Sequence, residues 1–293
     1  MSDDGRERDD AARAEAIDEA VEGAQSLGED DRWDEAYEVL AAALDEQGDD
    51  ALLLAWAGIA AQRLGEESES YDRFRAALAL NPADPFVLAV AGSGLAAVDD
   101  PAAEGALRTA ALTAPDFPFA RLSYGAYLAR EGLLDDAIAE LEAARGLAPE
   151  DGGVHTELGI AYLLARRTGD GLDALEEALS RAPTDSWLRA LFGLALVDAG
   201  RGEEGAEQLH QAAGEREDDV EVQLIAALAM ASQGWEDPAW EALARAEAAA
   251  EGSDRELLTE VEDRLEAGAD AAEALLREEL GPVLLRERLL QRA

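Results

Sequence analysis

The chain has 293 residues, 66 acidic against 24 basic, and a formal net charge of -42. Such a charge repels phosphate backbones and anionic lipid heads, which argues against nucleic acid and membrane surfaces as partners. The lack of Cys excludes disulfide and thiol chemistry, and an Ala- and Leu-rich composition without alternating β-branched runs points to an all-α fold.

Every basic residue is Arg. Self-repulsion strains such a chain at low salt, and the Debye length falls from about 30 Å at 0.01 M to about 3 Å at 1 M. The acid excess therefore predicts a haloarchaeal, salt-in cytoplasm. A GC-rich genome would account for the missing Lys but not for the acid. The N-terminus, MSDDGRERDD, lacks the basic-then-apolar pattern of a secretory leader. The longest uncharged apolar stretch, Phe86 to Val98, is shorter than the ~20 residues a membrane-spanning helix needs. The expected location is cytoplasmic.

In chain order, residues 1–16 are mostly charged and read as a flexible tail. From Ile17 a 34-residue unit can be laid down without gaps from positions 17, 51, 85, 118, 152, 186 and 220, the third copy being one residue short near Asp99 and Asp100. Four copies close on Pro82, Pro115, Pro149 and Pro183. The eighth place is always small: Ala24, Gly58, Gly92, Gly125, Gly159, Gly193 and Ala227. Another place holds Ala43, Ala77, Ala110, Ala144, Ala178, Ala212 and Ala246. Three residues before each stands Leu40, Phe74, Leu107, Leu141, Leu175, Leu209 or Leu243. Small residues at fixed places let helices approach closely, and the large residue is expected to fill the gap between copies.

Asp84-Pro85, Asp100-Pro101 and Asp237-Pro238 each place an acid ahead of a proline, as at a helix start. Ser253 and Glu256 could form a capping box for a helix presenting Leu257, Val261 and Leu265 on one face. Residues 254–293 thus read as C-terminal capping helices, the last of them after Pro282 in a stretch, GPVLLRERLLQRA, of net positive charge.

This pattern resembles the tetratricopeptide repeat family over residues 17–253. It departs from the family where the early aromatic of the first helix is replaced, and where the closing proline is missing from the first and last two copies. The resemblance implies a right-handed superhelical solenoid of antiparallel helix pairs, about seven units plus caps. It also implies that the first (A) helix of each pair lines a concave surface where peptides bind.

The A stretches LLLAWAGIAAQRL, FVLAVAGSGLAAV and FARLSYGAYLAR contain no acid, so these helices must be covered on two faces or bind something. Carried over from the family, the second, fifth and ninth places should point into the groove. The expected lining is Leu52, Ile59, Phe86, Phe119, Leu122, Thr156, Ile160, Trp187 and Leu194, with Ala55, Ala89 and Ala190 between them and Arg63 and Arg130 at the edge. It lacks the Lys and Asn of the carboxylate clamp found in some relatives. Phe86, Phe119 and Trp187 start their helices, and packing against the preceding copy is the competing reading for each. An exposed apolar stripe over five copies would exceed what monomers normally show, so a partner, self-association or a folded-in segment should cover it.

Other motifs carry less. Gly200-Arg-Gly-Glu-Glu-Gly205 matches a nucleotide-loop pattern but follows no strand and reads as a turn. His155 and His210 lie in different copies without a ligand set, so no metal or cofactor is expected. No nucleophile-base arrangement stands out, and an enzyme is not expected. The sequence therefore predicts a scaffold holding a peptide or helix of another protein in an apolar groove. The alternative is a self-associating subunit of a homo-oligomer, using the groove or the helix from Val283 to Leu290.

Overall fold

The computed structural model describes residues 3–252 and 254–291, all of its regular structure helical. The helices are α1 (Asp3–Glu29), α2 (Trp33–Gln47), α3 (Ala51–Arg63), α4 (Glu67–Ala79), α5 (Pro85–Ala96), α6 (Ala102–Thr113), α7 (Pro118–Arg130) and α8 (Leu134–Leu147). They continue as α9 (Gly152–Leu164), α10 (Thr168–Arg181), α11 (Ser186–Asp198), α12 (Gly202–Glu215), α13 (Val220–Ser232) and α14 (Glu236–Ala249). After α15 (Arg255–Ala267) comes α16 (Ala269–Ala274), which runs through a π-helical turn (Leu275–Leu280) into α17 (Gly281–Gln291). Among the described residues no helix is long and apolar enough to cross a membrane.

From α3 to α13 the odd-numbered helices begin at residues 51, 85, 118, 152, 186 and 220, the starts of the 34-residue units. An Asp stands before five of these starts and caps them. Asp50 Oδ1 accepts from Leu52 N–H at 2.9 Å, Asp84 from Phe86 at 2.8 Å, Asp151 from Gly153 at 2.8 Å, Asp185 from Leu188 at 2.9 Å and Asp219 from Val222 at 3.0 Å. Each satisfies a helix-end donor and adds negative charge at the positive end of the dipole. Of these five only the Asp84 cap was legible from an acid-proline pair; Asp100, ahead of Pro101, likewise accepts from Ala102 N–H at the start of α6. Asp237 lies inside the first turn of α14, and Ser253 of the expected capping box lies outside the described residues.

Each A-to-B turn contains one left-handed residue: Asp31, Gly65, Asp99, Gly132, Arg166, Gly200 and Gly234. Their spacing repeats the period, so one backbone turn closes every hairpin. In the short copy Asp100 follows that turn and is buried. It accepts from Ala102 N–H at 2.8 Å, Arg75 Nη1 at 2.7 Å and Tyr71 Oη at 2.9 Å. The Ala102 amide, then the Arg75 guanidinium, hold its carboxyl below the usual aspartate range.

The chain forms two compact units, residues 1–127 and 128–293. In the first, α1–α2, α3–α4 and α5–α6 are antiparallel hairpins, with α2 packing on α3 and α4 on α5. In the second, α9–α10, α11–α12 and α13–α14 form hairpins, with α10 packing on α11 and α12 on α13. The meshing of small and large residues lies inside each hairpin rather than only between copies. A Cβ on Gly58 would stand 2.5 Å from the Phe74 ring, and one on Gly159 2.6 Å from Leu175. Gly92 faces Leu107 and Gly193 faces Leu209 in the same way. Phe74 also meets Gly94 of the next copy, where a Cβ would fall 2.2 Å from its ring.

Helix α1 corrects the expected tail: it begins at Asp3, although its first buried apolar residue is Ile17. Its early turns lack an apolar face but are rich in Ala, Arg and Glu, good helix formers, with acids at the positive end of the dipole. Arg13 ties it down by donating to Gln47 O at 3.0 Å and Asp49 O at 3.2 Å. At the other end Val261 and Leu265 of α15 are buried and Leu257 packs against the same core.

Two substitutions test this construction. Ala178 is fully buried in α10, so Ala178→Glu should cost several kcal/mol and lower Tm by about 10 °C or more; an unchanged melting curve would refute the register. Arg166 holds φ at 59°, a conformation costing a non-glycine residue roughly 1 kcal/mol. Arg166→Gly should therefore raise Tm by a few degrees, and a lowered Tm would contradict this.

Candidate partner-binding faces

The groove lining expected from sequence divides between the two units. In the first, Leu52 and Ile59 of α3, Phe86 of α5, and Phe119 and Leu122 of α7 are half-buried, and Arg63 is exposed. The fifth place does not point outward in α3 or α5: Ala55 and Ala89 are fully buried. The sixth place does so in α3, where the half-buried side chain is Trp56. Leu52, Trp56, Ile59 and Arg63 then follow one another at helical spacing along one face. Trp56 was missed because the family's usual places were carried over, when spacing alone allowed either register.

The aromatics of this face stack across successive A helices. The Trp56 and Phe86 rings lie 5.4 Å apart and nearly parallel, and Phe86 and Phe119 are 6.1 Å apart and tilted. Packing against the preceding copy is therefore real for Phe86 and Phe119, yet neither residue is fully buried by it. The Arg63 guanidinium lies over the Trp33 ring at 5.5 Å, a cation-π contact that leaves its charge at the margin of the stripe.

The second unit is different. Thr156, Ile160 and Leu194 are buried, and Trp187 is half-buried against the core. The Thr156 hydroxyl donates to Gly152 O at 3.0 Å. Helix α11 is buried without a break from Ala190 to Val197, and α13 from Val222 to Ala231. The segment from α16 to α17 completes this cover. Its α16 and π-helical part lie against α13, and α17 lies against α11 and α9. Leu275, Leu276, Leu285 and Leu289 join the same core as Ile160 and Leu194. The folded-in segment, one of the three ways to cover an apolar face, is the one present here.

A cavity of about 460 Å³ opens beside α17, lined by Leu134, Leu164, Leu285 and Leu289. Its charged rim is Arg130, Glu131, Arg166, Asp198 and Arg286. Arg130, expected at the groove edge, is half-buried there and points its Nε to within 3.9 Å of Glu131. Nearby, burial and then a hydrogen bond to Glu142 push the Tyr162 hydroxyl up to about 12, so it stays a neutral donor. His155 packs in α9 with Nε2 2.7 Å from Pro149 O. Among the described residues no group of three or more His, Asp or Glu could hold a metal ion. Gly200 occupies the left-handed turn, and a Cβ on Gly205 would fall 2.6 Å from Val197, so these glycines serve helix packing.

Helix pairs with this register and this meshing define a solenoid of the tetratricopeptide-repeat kind. Solved structures agree. The fold is similar to a chain of the APC/C hetero-tetramer Cut9-Hcn1, with a TM-score of 0.67 and 18% identity over 81% of this chain and 48% of that one. It is also similar to a tetratricopeptide repeat protein of Parabacteroides merdae, with a TM-score of 0.57 and 14% identity over 88% of this chain and 99% of that one. A third likeness is TTC0263, a thermophilic TPR protein of Thermus thermophilus, with a TM-score of 0.52 and 24% identity over 61% of this chain and 98% of that one. No family model and no curated protein matches the sequence.

Proposed function

We propose that the chain is a non-catalytic protein-interaction scaffold that holds an apolar peptide or helix of a partner protein on the A-helix face of its first unit. The observation that carries this reading is the stripe of Leu52, Trp56, Ile59, Phe86, Phe119 and Leu122, each left partly accessible on three successive A helices of a densely acidic chain. Large apolar side chains left partly in water on one face mark an interaction site, and aromatics supply most of the energy where such sites are occupied. The fold supports the class of role, since a chain of similar fold stands in the Cut9-Hcn1 hetero-tetramer. Thr156, Ile160, Trp187 and Leu194, the matching places of α9 and α11, are left out of this proposed surface because they are buried or packed against the core. The net charge of -42 disfavours nucleic acid and anionic lipid as partners.

A photo-crosslinking residue in place of Ile59 should trap the partner in the host at molar KCl. The purified partner should then lose at least ten-fold in affinity, about 1.4 kcal/mol, when Phe86 and Phe119 are both changed to Ala, with helical CD unchanged. Affinity undiminished by the two changes, or CD lost in step with it, would remove the reading.

The acid excess is read as an adaptation to a salt-rich cytoplasm, where screening suppresses self-repulsion. Dialysis from about 2 M KCl into about 0.01 M should reduce the helical CD signal. A protein that stays fully helical in low salt would sink the halophilic assignment and leave the binding proposal standing.

A further inference from the structure

We propose that α17 is a detachable, built-in occupant of the face formed by α9 and α11, and that the partner this face fits is an amphipathic helix of α17's own chemistry. That chemistry is leucine at i and i+4 on one side, here Leu285 and Leu289, flanked by an exposed arginine, here Arg286. The inference rests on the second unit alone and does not depend on the stripe of the first.

The seat comes first. Helix α17 packs against α11 and α9, and both its leucines are buried in the core that contains Ile160 and Leu194. The face is thus shown to accept a helix, by a helix lying on it. It is the same A-helix face that stays half-open in the first unit.

The attachment is uneven along its length. Upstream, Ala272, Leu275 and Leu276 are almost fully buried, and this part lies on α13. In α17 Val283 is 53% exposed, and beside Leu285 and Leu289 the cavity of about 460 Å³ leaves part of their surroundings unfilled. This cleft gives a helix bulkier than α17 room to bury further apolar surface beside the two leucines.

The two parts meet at a joint. Pro282 has no N–H to give to the helix ladder, and the π-helical turn Leu275–Leu280 immediately precedes it. Gly281 is required there, because a Cβ would fall 2.2 Å from Leu276 O. A missing backbone bond next to a π turn is where a helix bends most readily. The anchored part can therefore hold to α13 while α17 leaves α11.

Charge favours a basic ligand at long range. At the rim itself the charges of the seat are balanced, Glu131 and Asp198 standing with Arg130 and Arg166. The arginines of the last stretch, Arg286, Arg288 and Arg292, outnumber its one acid, Glu287, in a chain of net charge -42. Long-range attraction thus draws any basic helix toward this protein, more strongly as salt falls.

The test uses a fluorescein-labelled peptide of residues 281–291, GPVLLRERLLQ, with the full-length protein in about 2 M KCl, where charge attraction is screened. The wild type, with its face occupied, should bind this peptide at least ten-fold more weakly than a full-length Leu285→Asp, Leu289→Asp variant. Adding Leu164→Asp to that variant should abolish binding. Equal binding by wild type and variant would overturn the proposal. So would binding that survives Leu164→Asp but falls with Phe119→Ala, since that places the peptide on the first unit. Hydrogen exchange on the wild type decides the matter if the variant fails to fold. Amides of residues 283–291 should exchange at least ten-fold faster than those of 272–280, and faster still with excess unlabelled peptide. Uniform protection across 272–291, indifferent to peptide, would overturn it as well.

Discussion

The structure depends on how closely the two helices of one hairpin can approach. Where the A helix offers glycine, the B helix inserts a leucine or phenylalanine into the space a Cβ would take, as Phe74 does at Gly58 and Leu175 at Gly159. The fit is reciprocal in the second unit, where a Cβ on Gly171 would meet Leu163, and one on Gly205 would meet Val197. Packing at this distance tolerates neither a larger residue on one side, at about 1–3 kcal/mol, nor a smaller one on the other, at about 2–5 kcal/mol. It fixes the angle at which each hairpin is presented to the next, and hence which A-helix positions face outward.

Charge is distributed so as not to disturb that contact. Helices α3, α5 and α7 carry no acid, whereas the B helices, α1 and the turns carry many, and those that precede helices meet their N-termini. Arginine recurs just before the B helix, three residues ahead of an acid: Arg32 with Glu35, Arg167 with Asp170, Arg201 with Glu204. These pairs are solvent-exposed and screened by salt, so they contribute little to stability. They neutralise charge locally, and the hydrogen bonds from arginine hold the Glu35 and Glu204 carboxyls below their usual range. The buried Asp100 cluster differs in that it links α4, through Tyr71 and Arg75, to the turn before α6. There it occupies the place where the third copy is a residue short.

The register of the repeats could be read from the sequence because the contacts that set it are local and periodic. The helix starts, the alanines of the B helices and the apolar A helices each leave a mark every 34 residues. The aspartate caps and left-handed turns leave the same mark, at Asp50, Asp151 and Asp185 and at Gly65, Gly132 and Gly200, so they were legible in principle. The early turns of α1 were not, since propensity and the Arg13 contacts with Gln47 and Asp49 have no apolar period to betray them. The seat of α17 could not be read at all. An i, i+4 pair of leucines says that a helix has an apolar side, but not which of several apolar faces, distant in the sequence, will receive it.

Repeat stacking explains why those faces were left to be covered. In a solenoid each hairpin is stabilised by its neighbours, and the outward positions of the A helices lie off that line of contact. They can vary without weakening the stack, but apolar residues there still have to leave water. The first unit answers by laying ring on ring, Trp56 on Phe86 and Phe86 against Phe119, and these residues stay only partly buried. The second answers with a helix from its own chain, whose Leu285 and Leu289 join the core that holds Ile160 and Leu194. Ring stacking needs only neighbouring copies and leaves a surface that another chain can use. Covering by a helix seals the surface, and only a ligand able to replace that helix can reach it.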